Sequence, residues 1–105
     1  MVSVIVLSWN AQDEILACVR SLQQALVQIE HEIIVIENAS ADGSAAALEK
    51  VPGIRLIKNS TNLGYAGGNN QAYALAKGDL IWLLNQDTIV NADAASAMVQ
   101  WLQQH

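Results

Sequence analysis

Four short runs in this chain are apolar through their centres, and between them the apolar residues recur at helical spacing. Val2 to Trp9 reads VSVIVLSW, Glu32 to Glu37 EIIVIE, Ile54 to Lys58 IRLIK, and Leu80 to Asn85 LIWLLN. A strand with one wetted face alternates polar and apolar residues. A strand covered on both faces stays apolar at successive positions, which is the habit of parallel sheets with helical crossovers. The intervening segments supply those crossovers. Ile15, Leu16, Val19, Leu22, Leu26 and Ile29 predict a long amphipathic helix, with Asn10 as its cap and Asp13 and Glu14 favourably placed in its first turn. A short helix is expected from Ser44 to Lys50, capped by Asp42 and stopped by Pro52 and Gly53. A third is expected from about Asn70 to Lys77, ending at Gly78, and a fourth through ASAMVQWLQQ with Asp93 as its cap. The order βαβαβαβα predicts a three-layer α/β/α sandwich with a mostly parallel sheet, Rossmann-like in its connections.

One core is expected across residues 1–105, since 105 residues suit one small domain and 52% are hydrophobic. No uncharged apolar run reaches the roughly 20 residues needed to cross a bilayer, so no transmembrane segment is predicted. The chain starts directly on a strand without a signal-peptide pattern, and Cys18 is its single cysteine. Both observations lead to an expected cytoplasmic, reducing setting. A formal charge of -5, with five scattered Lys and Arg residues, argues against a nucleic-acid partner.

Open sheets of this kind bind ligands beyond the carboxyl ends of their strands. The polar and glycine-rich segments of this chain follow its strands: Ser8-Trp9-Asn10, Glu37 to Ser44, Asn59 to Asn70, and Asn85-Gln86-Asp87. NLGYAGGNN lacks the Lys-Ser/Thr of a P-loop and the strand-to-helix spacing of a dinucleotide fingerprint. Its glycines allow close backbone approach and positive φ, while Asn69 and Asn70 either offer amides to a ligand or cap the helix that follows. Trp9 either stacks on a ligand or lies on the rim. Asp87 either begins a turn before Thr88 or holds a cation. His31 and His105 fall outside this rim.

In order along the chain, VSVIVLSWN, VIENASADGS, NLGYAGGNN and LLNQD resemble the motifs of family 2 glycosyltransferases. The resemblance is to the N-terminal, nucleotide-sugar-binding half of the GT-A fold, in its rhamnosyltransferase-like members, and covers essentially the whole chain. It implies a transferase that takes a sugar from a nucleotide-diphosphate sugar, UDP or dTDP, in cell wall or polysaccharide biosynthesis. It further implies that Ser8, Trp9, Asn10, Glu37 and Asn38 line the base and ribose, and that Gly67, Gly68 and Asn69 pack near the donor. Asn85 and Gln86 would bind the nucleotide-sugar just ahead of Asp87, which would hold Mg²⁺ or Mn²⁺ on the diphosphate. Two positions depart from the family pattern: Glu37 stands where Asp is usual, and Asn85 replaces the first acid of Asp-x-Asp.

The family's acceptor half and its carboxylate base have no counterpart within these residues, so the chain is expected to bind donor without transferring it. It is expected to be either a truncated domain or the product of a shortened gene. A non-catalytic nucleotide-binding module and a decayed α/β interaction domain are the competing function classes. The GT-A resemblance also implies a sheet order of three-two-one-four. That order leaves the uncharged strand LIWLL at an edge, where a homodimer is expected to form.

Overall fold

A computed structural model describes all of residues 1–105. The chain runs β1 (Val2–Ser8), α1 (Gln12–Ala25), β2 (His31–Glu37), α2 (Ser44–Glu49), β3 (Arg55–Lys58), α3 (Gly64–Leu75), β4 (Leu80–Leu84) and α4 (Ala92–Gln104). The sheet order is β3-β2-β1-β4, and every pairing is parallel. Val6 of β1 stands between Val35 of β2 and Leu84 of β4; β1 and β2 finish together at Ser8 and Glu37, and β4 stops at Leu84, opposite Val6.

The continuous apolar strands are explained by helices on both faces. Val2, Val4 and Val6 point to one face, where Ile15, Cys18, Val19 and Leu22 of α1, Leu48 of α2 and Ala95 of α4 meet them. Ile5, Ile34 and Ile36 point to the other, against Ala72 of α3. Each such buried side chain contributes about 1.5–3 kcal/mol relative to exposure, which makes central β1 the anchor of the molecule. The second face is covered unevenly. Helix α3 packs on β1 and β2, and Leu83 of β4 is left 47% exposed.

At the amino ends of the strands, side chains staple β4 to β1. Ser3 Oγ donates to Glu32 (2.6 Å) and accepts from the Gly78 N–H (2.8 Å), while the Lys77 N–H donates to the same Glu32 carboxylate (2.6 Å). Burial pushes the Glu32 carboxyl up, but these bonds and the nearby Arg55 charge outweigh it and hold the pKa below the usual carboxylate value. Gly78 is required on steric grounds. A Cβ there would stand 2.7 Å from the Met1 carbonyl oxygen and 2.8 Å from the Ser3 nitrogen.

Several predicted boundaries move. Helix α1 stops at Ala25, and Ile29 joins the core from the turn beyond it, where its N–H bonds to the Leu26 carbonyl (2.9 Å). Helix α3 begins at Gly64, six residues before the predicted start, and therefore contains Gly67, Gly68, Asn69 and Asn70. Neither Asn69 nor Asn70 caps it. Asn10 does not cap α1: the Gln12 N–H donates instead to the Asp42 carboxylate (3.2 Å), contributed by the turn after β2. Asp93 lies inside α4, whose cap is Asn91, accepting from the Ala94 N–H (2.8 Å). No helix is long and apolar enough to cross a membrane.

Candidate functional site

A cleft of about 580 Å³ opens over the carboxyl ends of β2, β1 and β4. Its wall takes Leu7 and Trp9 from the end of β1, and Ala11 and Glu14 from the start of α1. Asn38 comes from the end of β2, and Asn62, Gly64 and Tyr65 come from the start of α3. The run Leu84 to Asp87 closes the β4 side. This volume lies within the ~300–1,000 Å³ typical of small-molecule sites.

The β1 and β4 sides are tied by a side chain that imitates backbone. The Trp9 N–H donates to Gln86 Oε1 (2.9 Å), and Gln86 Nε2 donates back to the Trp9 carbonyl (3.2 Å). These paired bonds carry the connection between the strands beyond Leu84 and leave the Trp9 side chain 50% exposed over the cleft. Asp87 sits in the turn that ends this side. The turn is closed by backbone, Thr88 N–H to Asn85 carbonyl (3.1 Å), and the Asp87 side chain is left to line the cleft.

On the β2 side, Asn38 is 3% exposed and joins three segments. Its Nδ2 donates to the Gly64 carbonyl (3.3 Å), and its Oδ1 accepts from Asn59 Nδ2 (2.9 Å) and the Leu63 N–H (3.4 Å). An amide nitrogen carries two hydrogens, so Asn38 keeps one to offer a ligand. Gly68 packs one turn into α3, where a Cβ would stand 2.7 Å from a Leu7 methyl and 3.2 Å from Asn38 Nδ2. Its lack of a side chain lets α3 lie close on β1.

The predicted residues therefore fall into three groups. Trp9, Asn38, Asn85, Gln86 and Asp87 line the cleft. Ser8, Asn10 and Glu37 form the frame beneath it. Ser8 is fully buried, with its hydroxyl lacking a hydrogen-bond partner. Glu37 is 2% exposed and accepts from the Ser40 N–H and hydroxyl. Asn10 accepts from the Ala41 N–H (2.6 Å) at a positive φ of 48°. Gly67, Gly68 and Asn69 lie on α3 and do not line the cleft, although Gly68 packs directly behind Leu7 and Asn38, which do.

Glu14 and Tyr65 line the cleft and escaped the sequence analysis as site residues. The available signals were weak. Glu14 looks like an ordinary first-turn acid, and Tyr65 lies within a glycine-rich motif that draws attention to its backbone.

Charge in the cleft is one-sided. Glu14 and Asp87 line it, and none of the five Lys and Arg residues does. No cluster of three or more His, Cys, Asp or Glu side chains suited to a metal occurs in the chain. A hard divalent cation commonly takes one or two protein carboxylates and completes its shell with phosphate oxygens and water. Asp87 with the neutral Asn85 beside it fits that donor pattern. Cys18 lies behind this edge, its Sγ 3.7 Å from the Asn85 carbonyl. Burial, helped by the Asp87 charge and opposed by the Thr88 N–H, pushes its thiol up to about 11.

The family model described as glycosyl transferase family 2 matches residues 3–105. The succinoglycan biosynthesis protein ExoO of Rhizobium meliloti is 31% identical over 94% of this chain and 29% of its own length. The Escherichia coli UDP-Glc:alpha-D-GlcNAc-diphosphoundecaprenol beta-1,3-glucosyltransferase WfaP is 37% identical over 83% of this chain and 35% of its own length. The mannosyltransferase PcManGT of Pyrobaculum calidifontis, solved with GDP-Man and Mn²⁺, superposes with a TM-score of 0.84 at 26% identity, covering 96% of this chain and 32% of that one. The chain thus spans about a third of the length of these relatives.

Proposed function

The chain belongs to glycosyl transferase family 2 and has an α/β fold matching GT-A enzymes; from that premise we propose that the cleft binds a nucleotide-diphosphate sugar through a divalent cation at Asp87. One observation carries this function: the wall holds two carboxylates and no basic side chain. An anionic diphosphate is repelled there unless a cation accompanies it. Bound Mg²⁺ or Mn²⁺ would neutralise the diphosphate as a leaving group. Asp87 would hold that cation, with the neutral Asn85 beside it on the cleft wall. Trp9 supplies an aromatic face, and Asn38 supplies its remaining amide hydrogen.

The mannosyltransferase solved with Mn²⁺ supports the metal, and the named activity of the Escherichia coli relative supports a UDP-sugar. The succinoglycan relative supports a place in polysaccharide biosynthesis. The rhamnosyltransferase-like motifs keep dTDP-sugars among the donors to be tested. Buried, unpaired Cys18 fits a reducing cytoplasm. The acceptor half and carboxylate base implied by the family resemblance have no counterpart among these 105 residues. This supports the reading that they bind donor without transferring it, and sugar transfer by the isolated chain would contradict that reading.

Calorimetry with UDP and dTDP tests the proposal in MnCl₂ and in EDTA. Binding in MnCl₂ should exceed that in EDTA, and Asp87→Ala should bring the two to the same weak level. A metal-dependent gain in affinity that survives Asp87→Ala rules out the assignment.

A further inference from the structure

Tyr65 is an exposed aromatic that follows a backbone held by side-chain amides, of which Asn38 is buried. Its ring is 64% exposed and lines the cleft at the first turn of α3. The backbone just before it is gripped from several sides. Gly64 takes a positive φ of 74°, its N–H donates to Asn62 Oδ1 (2.7 Å), and its carbonyl accepts from Asn38 (3.3 Å). Asn38 is itself held by Asn59, whose side-chain amide exchanges two hydrogen bonds with that of Gln71 (3.0 and 2.9 Å). A connected network of side-chain amides restricts the backbone it grips. Here it fixes the start of a helix whose side chain projects into water.

The topology says which end of a donor this ring meets. Asp87 stands at the β4 side of the cleft, and Asn38 stands across β1 at the end of β2. Two strand spacings separate them, about 10 Å. A nucleoside diphosphate with its phosphates at Asp87 reaches back over β1 with its base towards β2 and α3. Trp9, from the central strand, offers a second aromatic surface along that path.

We infer that Tyr65 is an aromatic wall of the nucleoside end of the cleft and packs its ring on the donor's base. This rests on the donor site proposed above. Every base has a π-face, so the contact contributes affinity with little dependence on base identity. The ring makes the contact and the hydroxyl does not.

The test is titration of the chain with UMP, and with UDP plus MnCl₂, for Tyr65→Ala, Tyr65→Phe and the control Tyr73→Ala. Tyr73 lies on the same helix at 66% exposure and does not line the cleft. Tyr65→Ala should weaken both ligands by a similar factor, about tenfold or more. Tyr65→Phe and Tyr73→Ala should stay close to wild type. Unchanged affinity in Tyr65→Ala overturns the inference and leaves the donor site standing, as does a loss confined to UDP with metal, which would put the ring at the phosphate end. Absence of nucleotide binding by the unaltered chain would remove both the donor site and this inference.

Discussion

Asp42 shows how single side chains in this protein serve elements other than their own. One carboxylate oxygen accepts from the Gln12 N–H at the start of α1, and the other accepts from the N–H and hydroxyl of Ser44 at the start of α2. The Ser44 bonds, led by the hydroxyl, hold the Asp42 carboxyl below its ordinary pKa. A folded-state pKa that is depressed adds stability above the unfolded value and loses it as pH falls through the folded value. Asp42→Asn should therefore melt at a lower temperature than wild type at pH 7. The gap should close in acid, well below the usual Asp value of about 3.9. Circular dichroism melts across that range check it, and a gap independent of pH would show that the charge is not what matters. The sequence marked Asp42 as the cap of α2; the cap position falls to Gly43, and Asp42 accepts from the Ser44 N–H one residue further out. Its second task, on α1, was hidden because the two residues are joined only by the fold.

At the level of elements, the strand and helix order, the parallel sheet and the rim carrying the polar segments were all legible from hydrophobic period. Those patterns record burial on both faces of a sheet, and burial is what the apolar runs respond to. The start of α3 was not legible. Gly64, Gly67 and Gly68 have low helix propensity, and a local estimate puts a loop there. Packing reverses that preference, because Gly68 must lie against Leu7 and Asn38. The caps failed for a related reason: Asn10 is turned away to hold Ala41, and Asn91 takes the place predicted for Asp93. Within the site, Asp87 was found through its position after β4, whereas Tyr65 depends on the direction in which α3 leaves its first turn. Gly78 sets the position of β4 and therefore of the turn that bears Asp87. Gly78→Ala forces a methyl against the backbone of Met1 and Ser3, so it should cost about 2 kcal/mol in urea unfolding. Stability within a few tenths of wild type would mean that β4 can shift freely along β1.

For the molecule as a whole, the sheet ends on two edges, β3, which carries Arg55 and Lys58, and β4. Leu80 to Leu84 carries no charge or Pro and pairs only with β1, so its outer backbone groups are free to pair. We expect these 105 residues on their own to form a two-fold dimer with β4 antiparallel to β4. Centred on Trp82, that pairing sets half-buried Ile81 opposite exposed Leu83 of the second copy on the α3 face of the sheet. Light scattering should give twice the chain mass at micromolar concentration, and Ile81→Pro should give a monomer. A monomeric unaltered chain, or a dimer indifferent to that substitution, contradicts the arrangement. The charge distribution has a further consequence, for the order in which ligands arrive. A protein of net charge -5 with Glu14 and Asp87 at its cleft presents a like-signed field to a bare nucleotide diphosphate. Added salt shortens the reach of that field to about 8 Å at physiological ionic strength, so salt speeds the encounter of the metal-free partners. For the donor site proposed above, cation and diphosphate are expected to enter most readily as a preformed pair, with the acidic cleft discriminating against nucleotides that arrive without one.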